Sequence, residues 1–304
     1  MSDTPPIPDW FFRAVEAPYS DHFVDVQGCP IHYQKWSDVD RRGLLFVHGY
    51  SANSHWWDFI APFFAEDYRV VAMDMAGMGD SGWRESYTGE TFAEEIIRVA
   101  EDAELEDDMY VIAHSFGGSA SILAGALYPE KLDGLILVDS PVRPPSEELD
   151  GPSRLGSGGR TSRFADLNTA IARFRLQPSQ PCENGYLVDY IAQHSARQGQ
   201  DEDWWYWKYD EHGLAGVDFG GRDRNRDFAD LACRVGLLYG EKSELVTPEI
   251  VDHMSYLMDD MESMVGIPES YHHLMLDQPL AFVSALRTMI SGWRHSNPLR
   301  QKGY

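Results

Sequence analysis

In the stretch VIAHSFGGSASILAG, Val111 to Gly125, an apolar run ends at Ser115. That serine lies between His114 and Phe116 and is followed by Gly117, Gly118, Ser119 and Ala120. The run before it has the length and character of a buried strand, and the run after it has the small-residue pattern of a helix. A serine at such a junction sits at the carboxyl edge of a sheet, where open α/β folds bind ligands. So sharp a turn needs small residues two places to either side, and Ala113 and Gly117 occupy those places. The helix N-terminus beneath supplies unpaired backbone N–H groups and the positive end of a dipole. Both suit the oxyanion that forms when a hydroxyl attacks a carbonyl. The pattern is the G-x-S-x-G nucleophile elbow with alanine in the first place. The plainer alternative is a serine that only caps a helix.

The elements that must hold this serine follow from the periodicity. GLLFVHG (Gly43–Gly49), YRVVAMD (Tyr68–Asp74) and MYVIAHS (Met109–Ser115) are short apolar runs ending at turn residues, the signature of buried parallel strands. Between the last two, Phe92, Ile96, Val99 and Ala103 recur at helical spacing, with Thr91 and Glu94 as a capping box. The alternation continues in LDGLILVDS (Leu132–Ser140), then returns in RVGLLYGEK (Arg234–Lys242) and a final helix over Pro279–Trp293. HFVDVQGCPIHYQKW reads as an antiparallel hairpin at the sheet edge. The fold class expected is α/β, a mostly parallel central sheet with helices on both faces. Residues 142–230 break the rhythm. They open on the Pro-, Gly- and Ser-rich PVRPPSEELDGPSRLGSGGR, a flexible entry, and carry the helical stretches FADLNTAIARFRL and GYLVDYIAQHSARQ. They form a helical cap insertion, leaving 1–141 and 231–304 as the core domain.

The chain has 304 residues and a formal charge of -24, so nucleic acid and anionic membrane are repelled as partners. No window approaches the apolar length of a membrane span, and MSDTPPIPDWFF has no signal-peptide pattern. Cys29, Cys182 and Cys233 are odd in number and far apart, which fits neither a disulfide framework nor a zinc site. A cytoplasmic protein is the plain expectation.

With FVHGYSANSHWW (Phe46–Trp57), MDMAGMGDSG (Met73–Gly82), the elbow and YHHLMLDQP (Tyr271–Pro279) in this order, residues 23–295 resemble the α/β-hydrolase superfamily. The resemblance is to its cap-bearing branch of esterases, epoxide hydrolases and dehalogenases. It implies an oxyanion hole from the backbone N–H groups of Tyr50 and Phe116. Gly77, Gly79 and Gly82 resemble the family's glycine-rich loop; their spacing fits a phosphate cradle, but an apolar turn explains it without a ligand. Aligning the family's late Gly-His motif puts His272 on the base, with Tyr271 in place of the glycine and His273 in support or in the core. The family's usual acid position, three residues past Gly240, holds Ser243. Asp139, after the preceding strand, is the preferred acid, and Glu244 the alternative. Asp139 can also be read as a carboxylate that holds the entry loop.

For the substrate pocket, His48, Trp56, Trp57, His114 and Trp204 are the candidates, with His48 also able to brace its loop. Trp205, Trp207 and Tyr209 are read either as pocket lining or as packing between cap and core, and His55 as a loop hydrogen-bonder. Epoxide hydrolysis and dehalogenation use an aspartate nucleophile in this superfamily, which Ser115 argues against. The resemblance therefore implies a serine hydrolase that cleaves a small-to-medium carboxylic ester with an apolar group, through an acyl-enzyme. It implies no metal and no organic cofactor. C–C bond hydrolysis, lyase chemistry and perhydrolysis reuse the same serine framework, and a non-catalytic ligand-binding protein is the alternative from another class.

Overall fold

Strand polarity and burial organise the chain around one eight-stranded sheet. A computed structural model describes residues 6–39, 41–105, 109–145, 162–199, 203–258 and 261–295. After α1 (Asp9–Val15) come β1 (Ser20–Val26) and β2 (Cys29–Lys35), paired antiparallel across Gln27 and Gly28, both at positive φ (52° and 79°). That is the hairpin geometry whose twist matches its strands. Next are β3 (Gly43–Val47), β4 (Arg69–Met73), α2 (Gly89–Asp102), β5 (Met109–His114), α3 (Phe116–Leu127) and β6 (Gly134–Val138). The segment that follows contains β7 (Arg163–Phe164), α4 (Leu167–Arg173), α5 (Gly185–His194), β8 (Ala196–Gln198), β9 (Trp205–Trp207) and α6 (Arg224–Ala229). The chain closes with β10 (Arg234–Gly240), α7 (Pro248–Leu257), β11 (Met261–Ile267), α8 (Leu274–Asp277) and α9 (Pro279–His295). The sheet order is β1-β2-β4-β3-β5-β6-β10-β11, parallel from β4 to β11.

The central strands are apolar throughout because both faces are covered. Leu45 and Val47 of β3 pack in one core with Phe92 and Ile96 of α2 and Leu123 of α3. Leu44 and Phe46 point the other way, into a core with Phe11 of α1 and Phe282 and Leu286 of α9. The α2 N-cap is Thr88, whose side chain accepts from the Thr91 amide, rather than Thr91 itself. The helix starts one turn earlier than the capping-box reading because Thr88 is the residue in extended conformation (φ -124°, ψ 156°). Among the described residues, no helix is long and apolar enough to cross a membrane.

Between β6 and β10 the chain is not purely helical: β7, β9 and β8 form a small antiparallel sheet. The aromatic run Trp205-Tyr206-Trp207 is its central strand. Leu176 and, from α5, Leu187 and Ile191 join the α9-side core, so this segment is packed onto the sheet domain. Most of the Pro/Gly/Ser-rich entry, residues 146–161, lies outside the described residues.

The glycine-rich loop after β4 is accounted for by packing. Asp74 is fully buried and accepts from the Ser54 and Asp80 amides (2.6 and 2.9 Å) and from His32 Nδ1 (2.7 Å). Gly79 has φ +59°, and a Cβ there would fall 2.1 Å from the Asp74 carboxyl carbon. The chain needs glycine at that point so that its backbone can close around a carboxylate.

Candidate active site

Ser115 caps α3 at φ 51°, ψ -117°, a conformation that costs a non-glycine residue about 1–3 kcal/mol. Its surroundings hold it there. The Ser115 amide donates to the Val138 carbonyl (3.0 Å), and the Ser115 carbonyl accepts from the Gly118 amide (2.9 Å) and the Ser140 hydroxyl (2.7 Å). Gly117 is required by proximity: a Cβ there would lie 2.4 Å from the His48 carbonyl oxygen. Ala113, by contrast, is accommodated with no exposed surface. The bend turns the serine side chain away from the strand and toward the loop that precedes α8.

That loop delivers His272. Its Nε2 is 3.0 Å from Ser115 Oγ, and its Nδ1 is 2.7 Å from Asp139 Oδ2. His272 is 3% exposed and Asp139 fully buried, so the bond between them is shielded from bulk water, while Ser115 is half-buried. Asp139 stands just past the end of β6 at φ 45°. Its Oδ1 accepts from the Gly240 amide (3.0 Å), and its Oδ2 also accepts from the Ser243 hydroxyl (2.6 Å). With Nδ1–H donated to a carboxylate, the ring nitrogen facing Ser115 is left as an acceptor. Glu244 is exposed, and Nδ1 of His272 is engaged by Asp139 instead.

Other expected site residues separate into those at the serine and those elsewhere. Tyr50 and Phe116 meet edge to face with ring centroids 5.8 Å apart. Phe116 opens α3, where the first amides have no intrahelical acceptor. The Tyr50 hydroxyl is buried without a hydrogen-bond partner; burial, then Tyr209 and Asp210, push it up to about 12. Trp56 is 6% exposed and packs beside His114 and His273 (ring centroids 6.4 and 5.2 Å). His114 is buried, and its Nε2 donates to the His272 carbonyl (3.1 Å), so it backs the histidine loop. Burial, with His272 and His273 close by, pushes His114 well below the ordinary histidine range.

Of the other pocket candidates, His48 and Trp57 are fully buried and Trp204 is half-buried. His48 is fully buried: its Nδ1 bonds to the Gly49 carbonyl (2.7 Å), and its Nε2 accepts from the Met75 amide (3.1 Å). The Nδ1 bond stays within the loop after β3, and the Nε2 bond ties that loop to the loop after β4. Trp57 is fully buried between Phe46 and Phe282. Trp204 lies under the Arg163 guanidinium (4.6 Å) beside the small sheet. A cavity of about 410 Å³ does lie there, lined by Trp83, Arg197, Tyr206, Trp207, Tyr209 and Glu211 among others, but neither Ser115 nor His272 lines it. His55 is a loop hydrogen-bonder, its Nδ1 2.7 Å from Asp58 Oδ2.

Three contributors escaped the sequence reading. Ser243 and Ser140 secure Asp139 and the Ser115 carbonyl. Gln180, from the segment between β6 and β10, accepts from the His273 amide (2.9 Å) and donates to Asp277 (2.9 Å). Asp277 in turn accepts from the Tyr271 amide (2.8 Å), so the histidine loop is clamped from both sides. Only Ser243 left a trace in the sequence, as the hydroxyl standing where relatives carry a carboxylate.

The comparisons with known proteins agree with this architecture. The chain is 27% identical over 279 residues to esterase Rv0045c of Mycobacterium tuberculosis, covering 87% of this chain and 88% of that protein. A serine hydrolase-like protein of Danio rerio is 31% identical over 120 residues, 38% of this chain and 36% of that one. Among solved structures, E-2-(acetamidomethylene)succinate hydrolase superposes with a TM-score of 0.76 at 21% identity, over 90% of this chain and all of the other. A thioesterase domain from the curacin biosynthetic pathway gives 0.73 at 25%, over 89% and 99%. The sequence profile of the alpha/beta hydrolase family matches residues 44–286, which carry the elbow, Asp139 and His272 together with the central sheet. The chain belongs to the alpha/beta hydrolase family.

Proposed function

We propose that this protein is a serine esterase, acting on a small-to-medium carboxylic ester with an apolar group. The observation that carries the reading is the continuous path from Ser115 Oγ through His272 to Asp139, at 3.0 and 2.7 Å. His272 Nε2 takes the hydroxyl proton as Ser115 Oγ attacks the ester carbonyl, and Asp139 stabilises the imidazolium that results. The Tyr50 and Phe116 amides receive the oxyanion. As the tetrahedral intermediate collapses, the ester C–O bond breaks and His272 passes its proton to the departing alcohol. Water then attacks the acyl group, giving its proton to His272, and the carboxylic acid leaves with Ser115 restored. Tyr50, Phe116 and, beyond it, Phe219 (5.9 Å from Phe116) supply an aromatic surround that suits an apolar substrate group.

Residues 142–230 act in this reading as a cap that holds the histidine loop through Gln180 and limits water. The likeness to an esterase along most of both chains and to a thioesterase domain supports acyl transfer over other serine chemistry. The test is hydrolysis of p-nitrophenyl acetate and butyrate by the purified chain and by Ser115→Ala. Loss of turnover and of labelling by a fluorophosphonate is expected in the variant. A variant as active as the parent would end this reading.

A further inference from the structure

Three histidines meet at the proposed centre, and the mechanism uses one. One ring nitrogen from each of His114, His272 and His273 lies within 4.8 Å of the other two, and all three residues are buried. His273 is 2% exposed; its ring faces the Gln177 and Pro178 carbonyls, but neither nitrogen makes a well-formed hydrogen bond. A neutral imidazole carries one N–H, which these carbonyls can accept, and its other nitrogen is left with a lone pair.

The hydrogen bonds of the other two fix where their lone pairs lie. His272 gives its Nδ1–H to Asp139, leaving a lone pair on Nε2. His114 gives its Nε2–H to the His272 carbonyl, leaving a lone pair on Nδ1. Each imidazole therefore has a nitrogen able to act as a ligand. The Asp139–His272 bond is the carboxylate–histidine arrangement that orients a metal-binding imidazole. We propose that His114, His272 and His273 bind a single borderline-soft divalent ion such as Zn²⁺, and that the bound ion inhibits the enzyme. Zinc–nitrogen bonds of about 2.0–2.1 Å in a tetrahedron bring ligand nitrogens to about 3.3 Å, so the three rings close by up to about 1.5 Å. Ser115 Oγ, 3.0 Å from His272 Nε2, flanks the fourth position. The ion takes the lone pair that would accept the serine proton, and hydrolysis stops. Three neutral imidazoles with no carboxylate ligand favour Cu²⁺ and Zn²⁺ and disfavour Mg²⁺ and Ca²⁺.

The inhibitory consequence rests on the esterase reading; the binding does not, so the two are measured separately. Untagged full-length protein is titrated with ZnCl₂ by calorimetry and in the p-nitrophenyl acetate assay, with MgCl₂ as control. One Zn²⁺ per chain is expected, with a rate lowered at least about tenfold at ten times the dissociation constant and restored by EDTA. His273→Phe and His114→Gln are each expected to weaken zinc binding at least about tenfold, each rate being expressed as a fraction of that variant's own metal-free rate. Should either variant fold poorly by circular dichroism, the visible spectrum of the Co²⁺-loaded parent reports four-coordinate geometry directly. Zinc that binds and inhibits equally in both variants sits on the acidic surface or at His32, Asp74 and Asp80, and refutes the site. Hydrolysis indifferent to Zn²⁺, without heat beyond that of Mg²⁺, also refutes it while leaving the esterase standing. Specific zinc binding by a chain that hydrolyses nothing keeps the site and defeats the esterase.

Discussion

Replacing Asp139 by asparagine changes one atom and leaves the volume of the site intact, so it isolates what the carboxylate does for His272. The Gly240 amide is a fixed donor 3.0 Å from Oδ1 and keeps the new amide oxygen on its side. The NH₂ group then faces His272 Nδ1 and Ser243 Oγ, where Oδ2 now accepts at 2.7 and 2.6 Å. A donor facing Nδ1 drives the ring to the tautomer that carries its proton on Nε2, which cannot take a proton from Ser115. Two hydrogen bonds to a charged acceptor are lost, each worth about 1.5–3 kcal/mol. Their sum corresponds to about 10²–10⁴ in rate, and the upper end matches the known cost of a wrong tautomer in serine proteases. The assay is kcat/KM for p-nitrophenyl acetate, with circular dichroism melts to show that the variant folds. Glu244→Gln, on the exposed side of the same turn, is expected to stay within about twofold of the parent. Adding Ser243→Asp to Asp139→Asn puts a carboxylate beside the vacated one and is expected to recover at least about tenfold. If Asp139→Asn lost less than about tenfold while Glu244→Gln lost more, the tautomer reasoning would fail and the acid would be Glu244.

Two further predictions concern the scaffold. Gly117→Ala places a methyl 2.4 Å from the His48 carbonyl oxygen and 2.9 Å from Val47 Cγ1, so backbone must move. The expected cost is about 1–3 kcal/mol, with a lower Tm and reduced turnover; an unchanged melt would show that the elbow is looser than described. His32 bonds to Asp74 through Nδ1 (2.7 Å) and to Asp21 through Nε2 (3.0 Å), which against its burial pushes it up to about 9. Because this lies above the unfolded value of about 6.5, the stabilisation is complete below that pH and is lost as pH rises through about 9. Melts from pH 6 to 9.5 are expected to fall for the parent and to stay flatter for His32→Gln. Equal slopes would refute the charged pair.

What the sequence determined was whatever depends on neighbours along the chain. The apolar runs ending at Val47, Met73, His114 and Val138 are buried on both faces and read as strands without help. Ala113 and Gly117 on either side of Ser115 marked the elbow because a tight bend constrains residues at fixed offsets. Asp139 was legible as a candidate only through the family resemblance, because some members carry their acid after the strand that it follows. Its partnership with His272 could be expected only through that resemblance, since 133 positions separate them and only the parallel register of β5, β6 and β10 brings their ends together. The same register turned Ser243 from an apparently missing acid into a donor on Asp139, a role no local pattern encodes. The surroundings of Trp57 and His48 were left open by the sequence for the same reason. Their positions near a motif say which loop they belong to, but whether a side chain faces core or ligand is decided by what packs on it from elsewhere in the chain. Here that is Phe282 for the tryptophan and the Met75 amide for the histidine.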